Sequence, residues 1–295
     1  MTERHLVRRA GDARFAAPPW AAAGGGFLRW SIVDEAGPAV HTGFGVCACE
    51  PGGATPSHVH SYEEGFYLLE GEAILQTLEG AYLLRPGDYG FVPVGAPHAW
   101  RNAGGGPARW ADMLAPQPRA RHGDDTQLVP ALVETEAQPV DVRDPRTRWF
   151  GHIEPANMDP GRQSQDLLAL SASMRTALLV YSGITVKMMV DTDLGAQLET
   201  MFMVQYDENG VAGTHDHPFE ETYYFLEGTA TAVFDGERYE LGPGDAAFAG
   251  VGCGHGFANA GQGPLRWLET QAPQPPARYS YRFTRDWDYL EERLQ

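Results

Sequence analysis

The sequence predicts an all-β chain made of two copies of one barrel- or sandwich-type domain. Three observations carry this reading. A motif of histidines, glutamate, glycines and asparagine occurs twice at a constant offset of 157 positions. Glycine and proline are plentiful, 35 and 22 among 295 residues. Apolar and aromatic runs are short and closed by turn residues, the pattern of strands rather than of long helices.

In chain order, residues 1–26 read as an N-terminal arm. It ends in Ala21-Ala22-Ala23-Gly24-Gly25-Gly26, where permissive glycine and small alanine side chains offer little to fix a conformation. Residues 27–118 form the first repeat. Glu64 and His98 sit among the strand-like segments Gly65–Leu69, Ala73–Leu78 and Tyr89–Val92. Residues 119–175 read as a polar inter-domain connection with boundary signals at Asp144-Pro145 and Asp159-Pro160. Within it, the spacing of Leu167, Leu168, Leu170, Met174 and Leu178 predicts a short helix over 165–179. Residues 176–275 form the second repeat, where Thr229–Phe234, Asp235-Gly236 and Glu237–Leu241 predict a tight hairpin. Residues 276–295 form an aromatic tail, expected to pack on a barrel or a partner subunit. The repeat is about 100 residues, a whole domain rather than a solenoid unit.

The formal net charge of −17 disfavours nucleic acid and anionic membrane surfaces as partners. No run approaches the ~20 apolar residues that span a bilayer. The start, Met-Thr-Glu-Arg-His, has no apolar core of a secretory signal. Cys47, Cys49 and Cys253 form no disulfide framework and read as small buried hydrophobes. A cytoplasmic protein is expected, with a homodimer as the default assembly.

The chemistry lies in the doubled motif. On a strand, His58 and His60 share a face while Val59 points away. Glu64 follows at an even spacing, and His98 arrives from a separate segment. The second copy repeats this with His215, His217, Glu221 and His255. Imidazole and carboxylate suit first-row transition metals, and four such ligands leave coordination positions open in an octahedral site. Open positions are what a catalytic metal needs. Alternation places Phe66, Leu68 and Trp100 beside the first set and Tyr223, Phe225 and Phe257 beside the second. Tyr223 adds a hydroxyl that its counterpart Phe66 lacks, a candidate for orienting substrate. Glu63 and Glu220 should face away from the metal in a solvated or structural role.

His58-x-His60-x3-Glu64-x6-Gly71, followed by Gly87-x5-Pro93-x-Gly95-x2-His98-x3-Asn102, resembles the two motifs of the cupin superfamily. Residues 210–259 carry the same motifs, so the chain resembles a bicupin. One departure stands out: Pro93 of the first copy is Gly250 in the second. The resemblance implies two tandem jelly-roll β-barrels with few short helices, each holding a metal at its centre.

Because one fold hosts many functions, the reaction must be argued from the site. No dedicated second acid or base stands out beside either ligand set, which favours chemistry carried by the metal. The expectation is a metal-dependent bicupin enzyme acting on a small organic substrate at a centre of three histidines and one glutamate, first of all a dioxygenase. Iron or manganese is expected, with nickel, cobalt or zinc as alternatives and up to two ions per chain. The alternatives are a non-redox decarboxylase, isomerase or aminohydrolase, and a non-enzymatic ligand-binding or storage bicupin. Ureidoglycine aminohydrolases are bicupins of similar length, but their metal site departs from the His-x-His-x3-Glu pattern kept twice in this sequence.

Overall fold

The computed structural model describes residues 3–141, 144, 147, 149–159, 182–275 and 282–283. Among them strands dominate, and the helical pieces are 3-10 turns of three or four residues. The short apolar runs and frequent turn residues produce this: each run is long enough for one strand and is then broken. The chain divides into two units, one comprising residues 13–154 and 189–201, the other residues 1–12, 155–188 and 202–295.

The N-terminal unit has two six-stranded sheets. One runs Phe150–His152, Asp88–Val92, Glu63–Glu70, Ala108–Ala115, Gly43–Cys49 and Phe27–Val33. The other runs Thr126–Leu128, His58–His60, His98–Asn102, Ala73–Thr77, Ala81–Leu84 and Ala137–Pro139. Its core includes Phe66, Leu68, Trp100 and Trp110, each large side chain contributing roughly 1.5–3 kcal/mol by leaving water.

The C-terminal unit forms one ten-stranded sheet around a core that includes Tyr223, Phe225, Phe234, Phe257 and Trp267. Its 17-residue strand Thr200–Asp216 covers the span of two strands in the first copy, Gly43–Cys49 and His58–His60. The cause is local. Pro56 interrupts the first copy, since proline donates no ladder hydrogen bond, whereas Gly213 stands at the equivalent place in the second. The hairpin is as predicted: Phe234 pairs with Glu237, and Asp235 and Gly236 have φ of 47° and 89°, the left-handed pair of a tight turn. Gly71 and Gly228, 157 apart, have φ of 74° and 79°, and a Cβ on either would strike the carbonyl of Pro107 or Pro264. The repeat register therefore holds in the backbone as well as in the motif.

The arm and the connection differ from the sequence reading. His5–Arg8 is a strand of the C-terminal unit, paired with Ala246–Ala249, and Arg9 bridges Asp245 at 2.8 Å. In the N-terminal unit Phe150–His152 pairs with Asp88–Val92, and His152 bridges Asp88 at 2.8 Å. Asp88 and Asp245 are repeat equivalents, so each copy borrows an edge strand from outside itself and ties it to the same aspartate. Nor is the Ala-Gly stretch loose where it begins. Pro19–Ala21 forms a 3-10 turn with Ala21 buried, and the Trp20 ring lies 4.3 Å from that of His58. These segments are too short and polar to show a period of their own; tertiary pairing fixes them. The helix expected over 165–179 lies outside the described residues. Of the aromatic tail, Arg282–Phe283 pairs with His215-Asp216 in the C-terminal unit.

The proline-to-glycine departure has a physical reason. The Gly250 N–H donates to the Arg4 carbonyl at 2.7 Å, a bond that proline could not make.

Candidate metal centres

Strand pairing brings the first ligand set together. His58 lies opposite His98 in register, and both point inward with His60, all three buried. Glu64, at the start of Glu63–Glu70, places Oε2 3.2 Å from His60 Nε2 and 3.3 Å from His98 Nε2. Ligand atoms of His58, His60, Glu64 and His98 all lie within 4.8 Å of one another. In the second copy those of His215, His217 and His255 do so. There Glu221 Oε2 lies 2.8 Å from His217 Nε2 and 3.3 Å from His255 Nε2.

The test of whether these residues suit a metal is the state of the imidazoles. Every Nδ1 is within hydrogen-bond distance of a backbone carbonyl two residues away. The partners are Pro56, Tyr62 and Ala96 in the first copy, at 2.9, 2.7 and 3.0 Å. In the second they are Gly213, Phe219 and Cys253, at 2.9, 2.7 and 2.9 Å. A carbonyl can only accept, so each Nδ1 carries the proton and each Nε2 turns a lone pair inward. Burial, and then the neighbouring His98, push the His58 imidazole down to about 3. Burial and then His255 push His215 down in the same way. Burial works to raise the Glu64 carboxyl, but the closeness of His60 and His98 holds it below the ordinary carboxylate range. Inward lone pairs and an ionised carboxylate are the donor set a divalent transition ion requires. The residues fit the group, twice.

The cupin domain family matches residues 45–114 and again 202–270. The chain is a bicupin. No curated protein matches it in sequence. Among solved structures, this bicupin resembles the Lactobacillus farciminis oxalate decarboxylase in complex with formate. The identity is 16% and the TM-score 0.66, over 97% of this chain and 90% of that one. A mutant of the Bacillus subtilis oxalate decarboxylase gives 14% identity and the same TM-score, over 100% of this chain and 84% of the other. At such identities the likeness is one of fold.

Around shared ligands the bicupin's two centres differ. In the first, Trp100 Nε1 donates to Glu64 Oε1 at 3.2 Å. A cavity of about 460 Å³ reaches this centre, lined among others by Trp20, Phe27, Tyr62, Trp100, His58 and Glu64. In the second, the Tyr223 hydroxyl donates to Glu221 Oε2 and Gln271 Nε2 donates to Oε1 at 2.6 Å. The Tyr223 hydroxyl thus donates to a candidate ligand and keeps its acceptor capacity. Phe66 and Leu68 are fully buried core residues; of that predicted trio, only Trp100 lines the cavity. Glu63 and Glu220 are buried rather than solvated. Glu63 accepts the N–H groups of Gln197 at 2.9 Å and Leu198 at 2.8 Å, a structural role.

Sequence reasoning missed the polar floor of the first cavity. Arg29 Nε and Nη2 donate to Asp112 at 2.6 and 2.7 Å, and the Cys47 thiol donates to Asp112 at 3.2 Å. Burial works against the Arg29 charge, but Asp112 more than restores it. Burial, then Asp112, push the Cys47 thiol well up, so it stays protonated as expected. In the second copy Glu269 takes the place of Asp112. Burial and the charge of Glu221 push it well up, and it accepts Trp267 Nε1–H at 2.8 Å. The signal lay outside the motif: Arg29 and Cys47 have Val186 and Val204 as their repeat partners.

Proposed function

We propose that this bicupin is a metal-dependent enzyme whose N-terminal centre acts on a small organic substrate by non-redox chemistry, of the lyase or isomerase kind. The observation that carries the proposal is the cavity of about 460 Å³ that meets His58 and Glu64. Its size falls in the range of small-molecule sites.

In the N-terminal centre His58, His60, His98 and Glu64 would hold a divalent ion, manganese or iron first among the candidates. When bound, such an ion polarises a coordinated carbonyl or carboxylate oxygen. The chain's own residues do the rest. Trp100 holds the Glu64 carboxylate in one orientation through its indole N–H. The three Nδ1–H groups keep the imidazoles from turning. Trp20, Phe27 and Trp100 exclude water and receive an apolar body. In the C-terminal centre both Glu221 oxygens are held by neighbouring donors, which suits an ion that stabilises the barrel.

Decarboxylation enters as the first reaction to test because the similar solved structures named above are decarboxylases. Dioxygenation is the second reading, favoured by the aromatic, water-excluding lining. A panel of short oxo-, hydroxy- and dicarboxylic acids, oxalate included, would be assayed for CO2 release and O2 uptake, with and without dioxygen. Turnover unchanged without dioxygen supports the non-redox reading; turnover lost without it, with O2 consumed, supports the dioxygenase. The variants His58→Ala/His60→Ala and His215→Ala/His217→Ala should each lose about one metal ion per chain. Only the first should lose most of the activity. Equal residual activity in the two would refute the division of labour.

A further inference from the structure

We infer that the N-terminal cavity selects a small monocarboxylate, whose anionic end is received by Arg29 and whose apolar body lies against Trp20, Phe27 and Trp100. This rests on the proposal that the N-terminal centre is the working site and names its substrate class.

Arg29 is the anchor by donor arithmetic. A guanidinium carries five N–H donors. Three are assigned: Nε and Nη2 to Asp112, and Nη1 to Ser31 Oγ at 3.1 Å. One N–H remains on each terminal nitrogen, and charged donors of this kind hold a carboxylate. The strand register explains the placement. Arg29 pairs with Cys47 and Ser31 with Gly45, and a Cβ at Gly45 would strike the guanidinium itself. The bare strand leaves the space in which the guanidinium lies. Asp112, from Ala108–Ala115, fixes its angle. Arg29 and Asp112 line the same cavity as His58 and Glu64. The second copy has Val186 in place of Arg29, so this anchor belongs to one barrel alone.

Charge decides how many carboxylates the ligand carries. A divalent ion on neutral imidazoles, with Glu64, Arg29 and Asp112, leaves one net positive charge in the cavity. A monoanion cancels it, and buried charge is tolerated where it is balanced. A dianion would overshoot. Asp34, Glu35 and Asp124 at the same cavity add repulsion against it, weakened at Asp34 and Glu35 by exposure to solvent. A cavity with this charge balance differs from a site built for fully ionised oxalate.

The test uses the full-length, metal-loaded chain with benzoate, its neutral isostere benzamide, and oxalate at neutral pH. Tryptophan fluorescence and calorimetry would report binding, and the metal count per chain would be measured on the same samples. Benzoate is expected to bind at least about tenfold more tightly than benzamide or oxalate, the size of one charge-assisted contact. Arg29→Lys keeps the ion pair but not the fork and should lose several-fold for benzoate. Arg29→Met/Asp112→Leu removes both charges without stranding either. It should lose about tenfold or more for benzoate and leave benzamide within about threefold. Equal binding of benzoate and benzamide by a loaded N-terminal centre, or benzoate affinity indifferent to Arg29, overturns the inference alone. A metal count unaltered by His58→Ala/His60→Ala would instead overturn the reading on which it rests.

Discussion

Gly250→Pro restores the proline that the first copy carries, and substitution toward a repeat consensus ordinarily stabilises. The structure predicts the opposite. The Gly250 N–H donates to the Arg4 carbonyl at 2.7 Å, and an ideal Cβ at 250 already lies 3.0 Å from that oxygen. Losing the hydrogen bond costs about 1 kcal/mol, and the stiffer unfolded chain returns about 0.4–1 kcal/mol. These nearly cancel, so sterics decide. The proline Cδ would stand where the N–H now points, well inside van der Waals contact with the Arg4 carbonyl, and the strand His5–Arg8 must yield. Its release gives up a four-residue ladder with Ala246–Ala249, the stacking of His5 on Phe234, and the Arg4 bonds to Asp235 and Gly252. Against the entropy regained by the freed segment, we expect a net loss of about 1–3 kcal/mol. Hydrogen exchange on residues 5–8 and denaturant unfolding of the full chain would measure it. A variant lacking residues 3–12 should show the same loss, and adding Gly250→Pro to it should cost little more. Protected amides at 5–8 in Gly250→Pro, with unchanged or higher stability, would refute the reasoning.

Three further outcomes follow from the two centres. Metal-free protein should lose stability as pH falls. His58 binds its proton at about 3 when folded and at about 6.5 when unfolded, so the unfolded chain takes up more protons in between. The stability is therefore present above about 6.5 and is lost toward 3, at up to about 1.4 kcal/mol per pH unit per such imidazole. Glu64, held low, adds a loss in the same direction as pH falls below the ordinary carboxylate range; a flat stability profile from pH 7 to 4 would count against this account. Tyr223→Phe installs the first copy's residue and frees Glu221 Oε2. It should weaken C-terminal metal affinity about 10–100-fold, measurable by competition with a chelator. Trp100→Phe, the converse exchange, should do the same at the N-terminal centre and leave the other ion in place.

Much of this was readable because metal ligation and tight turns place narrow demands on residue type. His58, His60, Glu64 and His98 must be those residues to hold an ion, and Gly71 must be glycine to pass the Pro107 carbonyl. Asp235-Gly236 announces its hairpin in the same way. What escaped has no such local rule. His5–Arg8 and Phe150–His152 are strands only because a partner edge awaits them, and four residues of mixed polarity carry no period of their own. Arg29 lies outside the repeated motif, and its partner Asp112 is 83 positions away.

The internal duplication offers a control that a single barrel would not. Motif positions agree between the copies, as a shared candidate ligand set requires, so the positions that disagree carry the information about role. Trp100 against Phe257 and Phe66 against Tyr223 exchange which side chain steadies the glutamate, while both glutamates remain steadied. Pro93 against Gly250 tracks the edge strand that each copy borrows, since only the second needs a donor at that point. Arg29 against Val186 is of another kind. No structural demand common to both barrels accounts for it, because the second closes without a cation there. A partly buried guanidinium, 15% exposed at its side chain and with N–H groups to spare, suits an anion that reaches the cavity. This asymmetry is what supports the proposal that the first barrel works on a substrate while the second holds an ion that stabilises it.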